Sequence, residues 1–196
     1  MRKKSIRLVF FVLLIIIGVI GGWLFFSQKD NYLKEFASSE QRIQNLIKQI
    51  NLLASQSNYQ FQLIEAKQKD GDIKNALELV IDGKERNREI NETTMKLTEE
   101  LKQLVKILPK FPNQEERNKI EKAIQYQIAA ISHLLNYGSG VDIILQELAQ
   151  KYEALLDKQP FEIKRDLNQL INLIKQEIAA ADENSQKFIQ VLEEIK

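Results

Sequence analysis

The first feature of the chain is an apolar run at residues 8–26, with the sequence LVFFVLLIIIGVIGGWLFF. Four basic residues, Arg2, Lys3, Lys4 and Arg7, precede it. At 1.5 Å per helical residue the run reaches roughly 28 Å, which matches the hydrocarbon core of a bilayer. The pattern predicts a short basic cytoplasmic tail at 1–7 and a transmembrane signal anchor at 8–26. By the positive-inside rule, 27–196 is then extracytoplasmic, as expected for a single-pass plasma (inner) membrane protein.

A cleaved signal peptide is the alternative interpretation of this run. Apolar regions of signal peptides are about 7–15 residues long and end in a small-x-small site. The run is longer than that, and cleavage after Gly22 would place Ile20 at the −3 position. The pattern therefore favours an uncleaved anchor. Within it, Gly18 and Gly22 form a small-xxx-small pair, a candidate contact between two membrane helices.

Beyond the anchor, apolar residues recur at steps of three and four, which is typical of amphipathic helices. Runs of strand-favouring residues are missing, so the domain is predicted to be all-α. Four breakers divide it, at residues 70–72, 109–113, 138–140 and 159–160. They predict an elongated antiparallel bundle of about five helices with coiled-coil character. The expected helices are 31–69, 72–108, 113–137, 141–158 and 161–195.

Three details of the pattern refine this prediction. The apolar phase agrees on both sides of Asp82-Gly83, so the second helix is expected to continue through this dipeptide. The third helix is expected to bury a stripe of isoleucine and leucine: Ile120, Ile124, Ile128, Ile131 and Leu135. The fifth helix has the most regular heptad pattern, which reaches the end of the chain and predicts a partner-binding face: Phe188, Leu192 and Ile195.

Composition excludes several function classes. The chain has 28 basic and 27 acidic residues. Without the four basic residues before the anchor, it has 24 basic and 27 acidic residues. The net charge of the outer region is therefore near −3, which argues against nucleic-acid binding, because such binding requires a basic face. The chain has no cysteine, which excludes disulfides and thiolate chemistry.

The residues that could carry chemistry form no catalytic or metal-binding pattern. His133 is the only histidine, and the positions three and four residues before it are Ala130 and Ala129. Adjacent glutamates, as at 99–100, 115–116 and 193–194, point about 100° apart on a helix and do not converge on one substrate. No catalytic residue, metal site, cofactor or small-molecule substrate is predicted, and the chain is not expected to be an enzyme.

Small polar residues interrupt the apolar stripes at four positions: Ser57, Asn87, Thr94 and Ser185. Such residues either fix the helix register or line an internal pocket. Two functions stay open. The favoured one is a membrane-anchored, non-enzymatic scaffold of the cell envelope that contacts a protein partner or another copy of itself. The alternative is a ligand-sensing or accessory subunit that works with a separate receptor.

Overall fold

A computed structural model describes the backbone of residues 2–161 and 165–195 and the side chains of 31–161 and 165–195. Within these ranges the chain is helical and contains no strand, which confirms the all-α prediction. The structure has four long helices and one short 3₁₀ helix at Leu108–Lys110. The long helices are α1 Arg2–Lys69, α2 Ile73–Ile107, α3 Gln114–Leu156 and α4 Leu167–Glu193.

The four long helices pack as an up-down-up-down bundle, because short connections return each helix along its predecessor. α2 packs extensively on α1 and α3, and α4 packs extensively on α3, whereas α1 and α4 touch only sparsely. α1 and α3 therefore run parallel to each other on diagonal corners of the bundle. We call the end with the α1–α2 turn the distal end, and the end with the α2–α3 turn the proximal end.

One continuous hydrophobic core fills the bundle along its length. Each of the four long helices contributes large side chains that are almost completely buried, and burying each one contributes about 1.5–3 kcal/mol. Representative members are Ile43, Ile50, Ile90, Leu97, Leu104, Ile120, Ile144 and Phe188. At the proximal end, the Phe111 ring makes edge contacts with Tyr32 and Phe36 of α1, both at 5.1 Å between centroids.

The predicted helix break at 138–140 is wrong, and the bundle has four long helices rather than five. α3 runs without interruption from Gln114 to Leu156. Gly138 lies against Asn91 of α2, and Gly140 lies against Ile174 of α4. The two glycines therefore allow close approach of helices on either side of α3 and do not form a turn.

The other boundaries follow local chemistry. The α1–α2 turn contains Gly71 at φ +75°, a conformation that favours glycine. Asn113 caps α3, since its side chain accepts a hydrogen bond from Glu115 N at 2.8 Å. α4 begins at Leu167 and not at 161, with Asp166 as the cap that accepts from Asn168 N and Gln169 N. α2 continues through Gly83, as predicted.

The α1 backbone is one unbroken helix from Arg2 to Lys69. The side chains of residues 1–30 lie outside the described part of the structure, so the contacts of the predicted anchor at 8–26 and of the predicted dimer site at Gly18 and Gly22 lie outside it too. Among the helices with described side chains, only α3 has the length and composition of a membrane-crossing helix, with mean hydropathy 1.3 in its most apolar segment. Half of that segment is buried inside the bundle.

Candidate functional site

His133 pairs with a carboxylate of the neighbouring helix. Its Nδ1 lies 2.6 Å from Oε2 of Glu177 on α4, and both side chains are partly buried. Asn136 donates a longer hydrogen bond, 3.5 Å, to the other oxygen of Glu177. No group of three or more metal-ligating side chains occurs among the residues described. The pair therefore acts as a link between α3 and α4.

The adjacent glutamates do not converge on a site. Glu99 pairs with Lys102 on its own helix, and this contact holds the pKa of Glu99 below its usual value. Glu100 points instead toward α1, where Arg42 Nε lies 2.8 Å from its Oε2. The two carboxylates thus serve different partners, as expected for neighbours on a helix.

Asn87, one of the four predicted polar positions, joins α2 to α3. Its Nδ2 donates to the carbonyl of Gly138 and to Oδ1 of Asp142, both at 2.8 Å. The Asn87 side chain is fully buried. A buried amide with fixed partners sets the relative height of two helices, because sliding them would break both hydrogen bonds.

The other three predicted positions are also buried, and two of them bond to their own helix. Ser57 donates to Leu53 O at 3.0 Å, and Thr94 donates to Ile90 O at 2.8 Å. Ser185 lies in the core on α4. Burial raises the pKa of Tyr137, and the neighbouring hydroxyl of Ser57 partly opposes that shift. These four positions are therefore part of the packed core.

Gln127 is a buried polar residue that the sequence patterns did not single out. It lies on α3 and is completely buried, and neither Nε2 nor Oε1 has a hydrogen-bond partner. A buried amide without partners costs roughly 1–3 kcal/mol. Its position between Ile124 and Ile131 in the apolar stripe is the only signal that could have identified it.

A groove of about 340 Å³ opens near the distal end between α1, α3 and α4. Its apolar wall includes Phe61, Ile144 and Ile171, and its polar members include Lys175. The Tyr152 hydroxyl, at the base of this region, donates to Gln68 Oε1 at 2.8 Å, and burial raises the pKa of Tyr152 to about 12.

The residues of the predicted partner face lie inside the bundle. Phe188 and Leu192 are fully buried, and Ile195 is partly buried against the core. The heptad pattern of α4 therefore serves the contacts of this helix within its own chain. In this fold Phe188 and Leu192 offer no surface to a partner.

Two exposed faces remain that are apolar at their centres and carry no charge. We define the α3 face as Gln125, Ile128, Ser132, Leu135 and Ser139, and the α1 face as Leu52, Ser55, Gln56 and Tyr59. The large members are more than half exposed, from 52% for Leu135 to 62% for Tyr59. Ile128 and Leu135 were expected in the core, and their exposure corrects that prediction.

Comparison with known proteins gives no relative: no family model matches the chain, and no curated protein or solved structure is significantly similar to it.

Proposed function

We propose that this protein is a membrane-anchored, non-enzymatic scaffold of the cell envelope. Residues 8–26 hold it in the membrane, and the helical bundle contacts other molecules through its outer faces. The observation that carries the proposal is the continuity of α1, whose backbone runs as one helix from the apolar run into the bundle.

A continuous helix is a stiff connection between an anchor and a domain. At 1.5 Å per residue, Leu52 lies roughly 39 Å along the helix beyond Phe26, the end of the apolar run. Since α2 returns along α1 and α3 runs parallel to it, the bundle stands along the direction of the anchor. Such a domain holds its binding surfaces at a fixed height above the bilayer.

The interior of the bundle supports a structural role in preference to a chemical one. Several buried polar side chains connect helices, as Asn87 does, or bond within one helix, as Thr94 does. The half-buried histidine also connects two helices. The surfaces of the described residues that are available for contacts include the outer faces and the distal groove.

Topology is tested with single cysteines, because the chain has none of its own. Asp70→Cys, in the distal turn, is expected to react with a membrane-impermeant maleimide in intact cells. Ser5→Cys is expected to react only after lysis. The chain is also expected to stay in the membrane pellet after extraction with alkaline carbonate. A soluble chain shortened at its N-terminus, or labelling of Ser5→Cys in intact cells, would contradict the proposal.

A second candidate function, a ligand-sensing or accessory subunit, is favoured by the distal groove alone. Its volume falls at the lower end of the usual range for small-molecule sites, and it combines apolar walls with a few polar groups. Sites of this kind form between the helices of bundles.

The two functions are distinguished by filling the groove. Ile171→Trp would occupy it, and Leu173→Trp, on the exposed side of the same helix, is the matched control. If the protein is a scaffold, both variants retain the envelope contacts that cross-linking detects in the wild type. Loss of those contacts in Ile171→Trp alone, with the fold retained, would favour ligand sensing.

A further inference from the structure

The proximal end of the bundle carries an open cleft between α1 and α2 that is lined mainly by basic side chains. Its volume is about 670 Å³, within the usual range for binding sites. We call it the proximal cleft, and its charged lining residues are Lys34, Glu35, Arg42, Lys106 and Lys110. This concentration of positive charge is local, because residues 27–196 together contain 24 basic and 27 acidic residues.

Two of the four basic groups are balanced by carboxylates of the bundle. Arg42 Nε lies 2.8 Å from Oε2 of Glu100, and Lys110 Nζ lies 2.7 Å from the carboxylate of the cleft itself. Lys34 and Lys106 are exposed and form no ion pair with a described side chain. The cleft therefore presents two positive charges whose counter-ion does not come from the described part of the chain.

Arg42 is a fixed part of the cleft wall. Besides its contact with Glu100, its guanidinium donates hydrogen bonds to Ser38 Oγ at 2.6 Å and to Ser39 Oγ at 3.1 Å. All three of its nitrogens are thus held within the chain. The lysines without ion-pair partners are therefore the groups that can turn toward a bound anion.

The cleft lies close to the proposed membrane surface. Lys34 follows Phe26 by eight residues on the continuous α1 helix, which is roughly 12 Å along its axis. The headgroup layer outside the hydrocarbon core is about 5–8 Å thick, so the Lys34 backbone stands only a few ångströms beyond it. Side chains on a helix tilt toward its N-terminus, which for α1 is the membrane side, and a lysine stem carries its charge farther in that direction. Lys110 is at the same level, since it pairs with Glu35.

A second groove at the proximal end has the opposite charge. It lies on the opposite side of α1, and the residues described along its walls include Glu40 and Glu116 but no Lys or Arg. An anionic group near this end of the bundle is therefore attracted to the α1–α2 side and repelled from the other side.

From this arrangement we infer that the proximal cleft binds the phosphate group of an anionic lipid in the membrane that holds the anchor. The inference rests on the proposed membrane anchor. Lysine ammonium groups bind phosphate as point charges, and each one near an anionic surface raises the affinity by a factor of about five. A single anchor helix leaves the bundle free to rotate about the helix axis. A lipid in the cleft turns the α1–α2 side toward the bilayer.

The test uses the full chain in lipid nanodiscs, with a fluorophore attached to Gln103→Cys, a lining position of the cleft. The discs contain phosphatidylcholine and an increasing share of phosphatidylglycerol. The fluorescence is expected to change and saturate as the anionic lipid increases, and to respond less at high salt. Asn118→Cys, on α3 and level with Lys34 by the Tyr152–Gln68 contact, carries the same fluorophore outside the cleft and is expected to give no saturating response.

The double variant Lys34→Gln/Lys106→Gln, in the Gln103→Cys chain, is expected to bind the anionic lipid about 25-fold more weakly, a factor of about five for each lysine. Lys119→Gln/Lys122→Gln, on α3, removes the same charge at the proximal end and is expected to keep the wild-type response. Circular dichroism of both double variants checks that the fold is retained.

Four results would overturn the inference while the chain stays in the membrane: equal responses at the two labelled positions, which indicate a general effect of surface charge; an unchanged response in Lys34→Gln/Lys106→Gln; a full response to inorganic phosphate in discs of phosphatidylcholine alone, which indicates a site for soluble phosphate; or no response. Release of the chain by alkaline carbonate would instead overturn the proposed function and this inference with it. The carbonate extraction thus distinguishes the two failures.

Discussion

The Tyr152 hydroxyl on α3 donates a hydrogen bond to Gln68 Oε1 on α1 at 2.8 Å. It connects the diagonal helices of the bundle at the distal end, beside the groove between α1, α3 and α4. The Tyr152 side chain is fully buried, whereas the Gln68 side chain is exposed. This hydrogen bond thus relates the heights of the two helices that carry the uncharged faces.

Tyr152→Phe is expected to lower the free energy of unfolding by about 1 kcal/mol, because it removes this hydrogen bond and keeps the ring. Urea unfolding followed by circular dichroism measures the change. Tyr59→Phe, on the exposed α1 face, is the matched control and should stay within about 0.5 kcal/mol of wild type. An equal loss in both variants would show that the distal bond has no stabilising effect.

Stability is expected to fall at alkaline pH. Burial raises the pKa of Tyr152 from the ordinary 10.0 to about 12, and burial also raises the pKa of Tyr137. Below pH 10 both phenols are neutral in both states, so their contribution is fully present. As the pH rises toward 12, the unfolded chain ionises first, and the free energy of unfolding therefore decreases.

The measurement is urea unfolding at a series of pH values from 9 to about 11.5. The double variant Tyr137→Phe/Tyr152→Phe is expected to lose less stability over this range than the wild type. Equal slopes for the two proteins would contradict the assignment of the alkaline loss to these buried phenols.

Local chemistry in the sequence predicted much of the fold. The turn at 70–72 contains Gly71 in a left-handed conformation, and the turn at 108–113 contains two prolines, so both breaks formed as expected. The glycines at 138–140 have the same composition signal but a different cause. They lie within a continuous helix, and Asn91 and Ile174, both distant in sequence, occupy the space that side chains there would need.

The surfaces were less predictable than the helices. Steps of three and four placed Ile128 and Leu135 in the core stripe, but α2 and α4 cover α3 only on two sides and leave these residues exposed. The His133–Glu177 pair joins residues 44 positions apart in the chain. Such pairs depend on the register of α3 against α4, which the pattern within one helix does not determine.

Gly140→Ala is expected to destabilise the protein although alanine favours helix. A Cβ at Gly140 would overlap Cγ2 of the buried, β-branched Ile174, and overpacking of this kind costs about 1–3 kcal/mol. The gain in helix propensity is about 1 kcal/mol. Ser139→Ala, exposed one residue away, is the control and should not destabilise. Thermal unfolding measures all three proteins, and a Gly140→Ala protein as stable as wild type would contradict the close contact.

Gln127→Met is expected to raise the free energy of unfolding by about 1–2 kcal/mol, because it replaces a buried amide that has no hydrogen-bond partner with a side chain of similar shape. Urea unfolding measures the gain. Gln125→Met, two residues away on the exposed α3 face, is the control and should change stability by less than about 0.5 kcal/mol. A loss of stability in Gln127→Met would mean that the amide has a favourable role in the core, such as holding a buried water between helices. In that case the replacement Gln127→Glu, which retains the shape but can carry a charge, should destabilise the protein more strongly at neutral pH than at pH 4, because only the charged form suffers the full cost of burial.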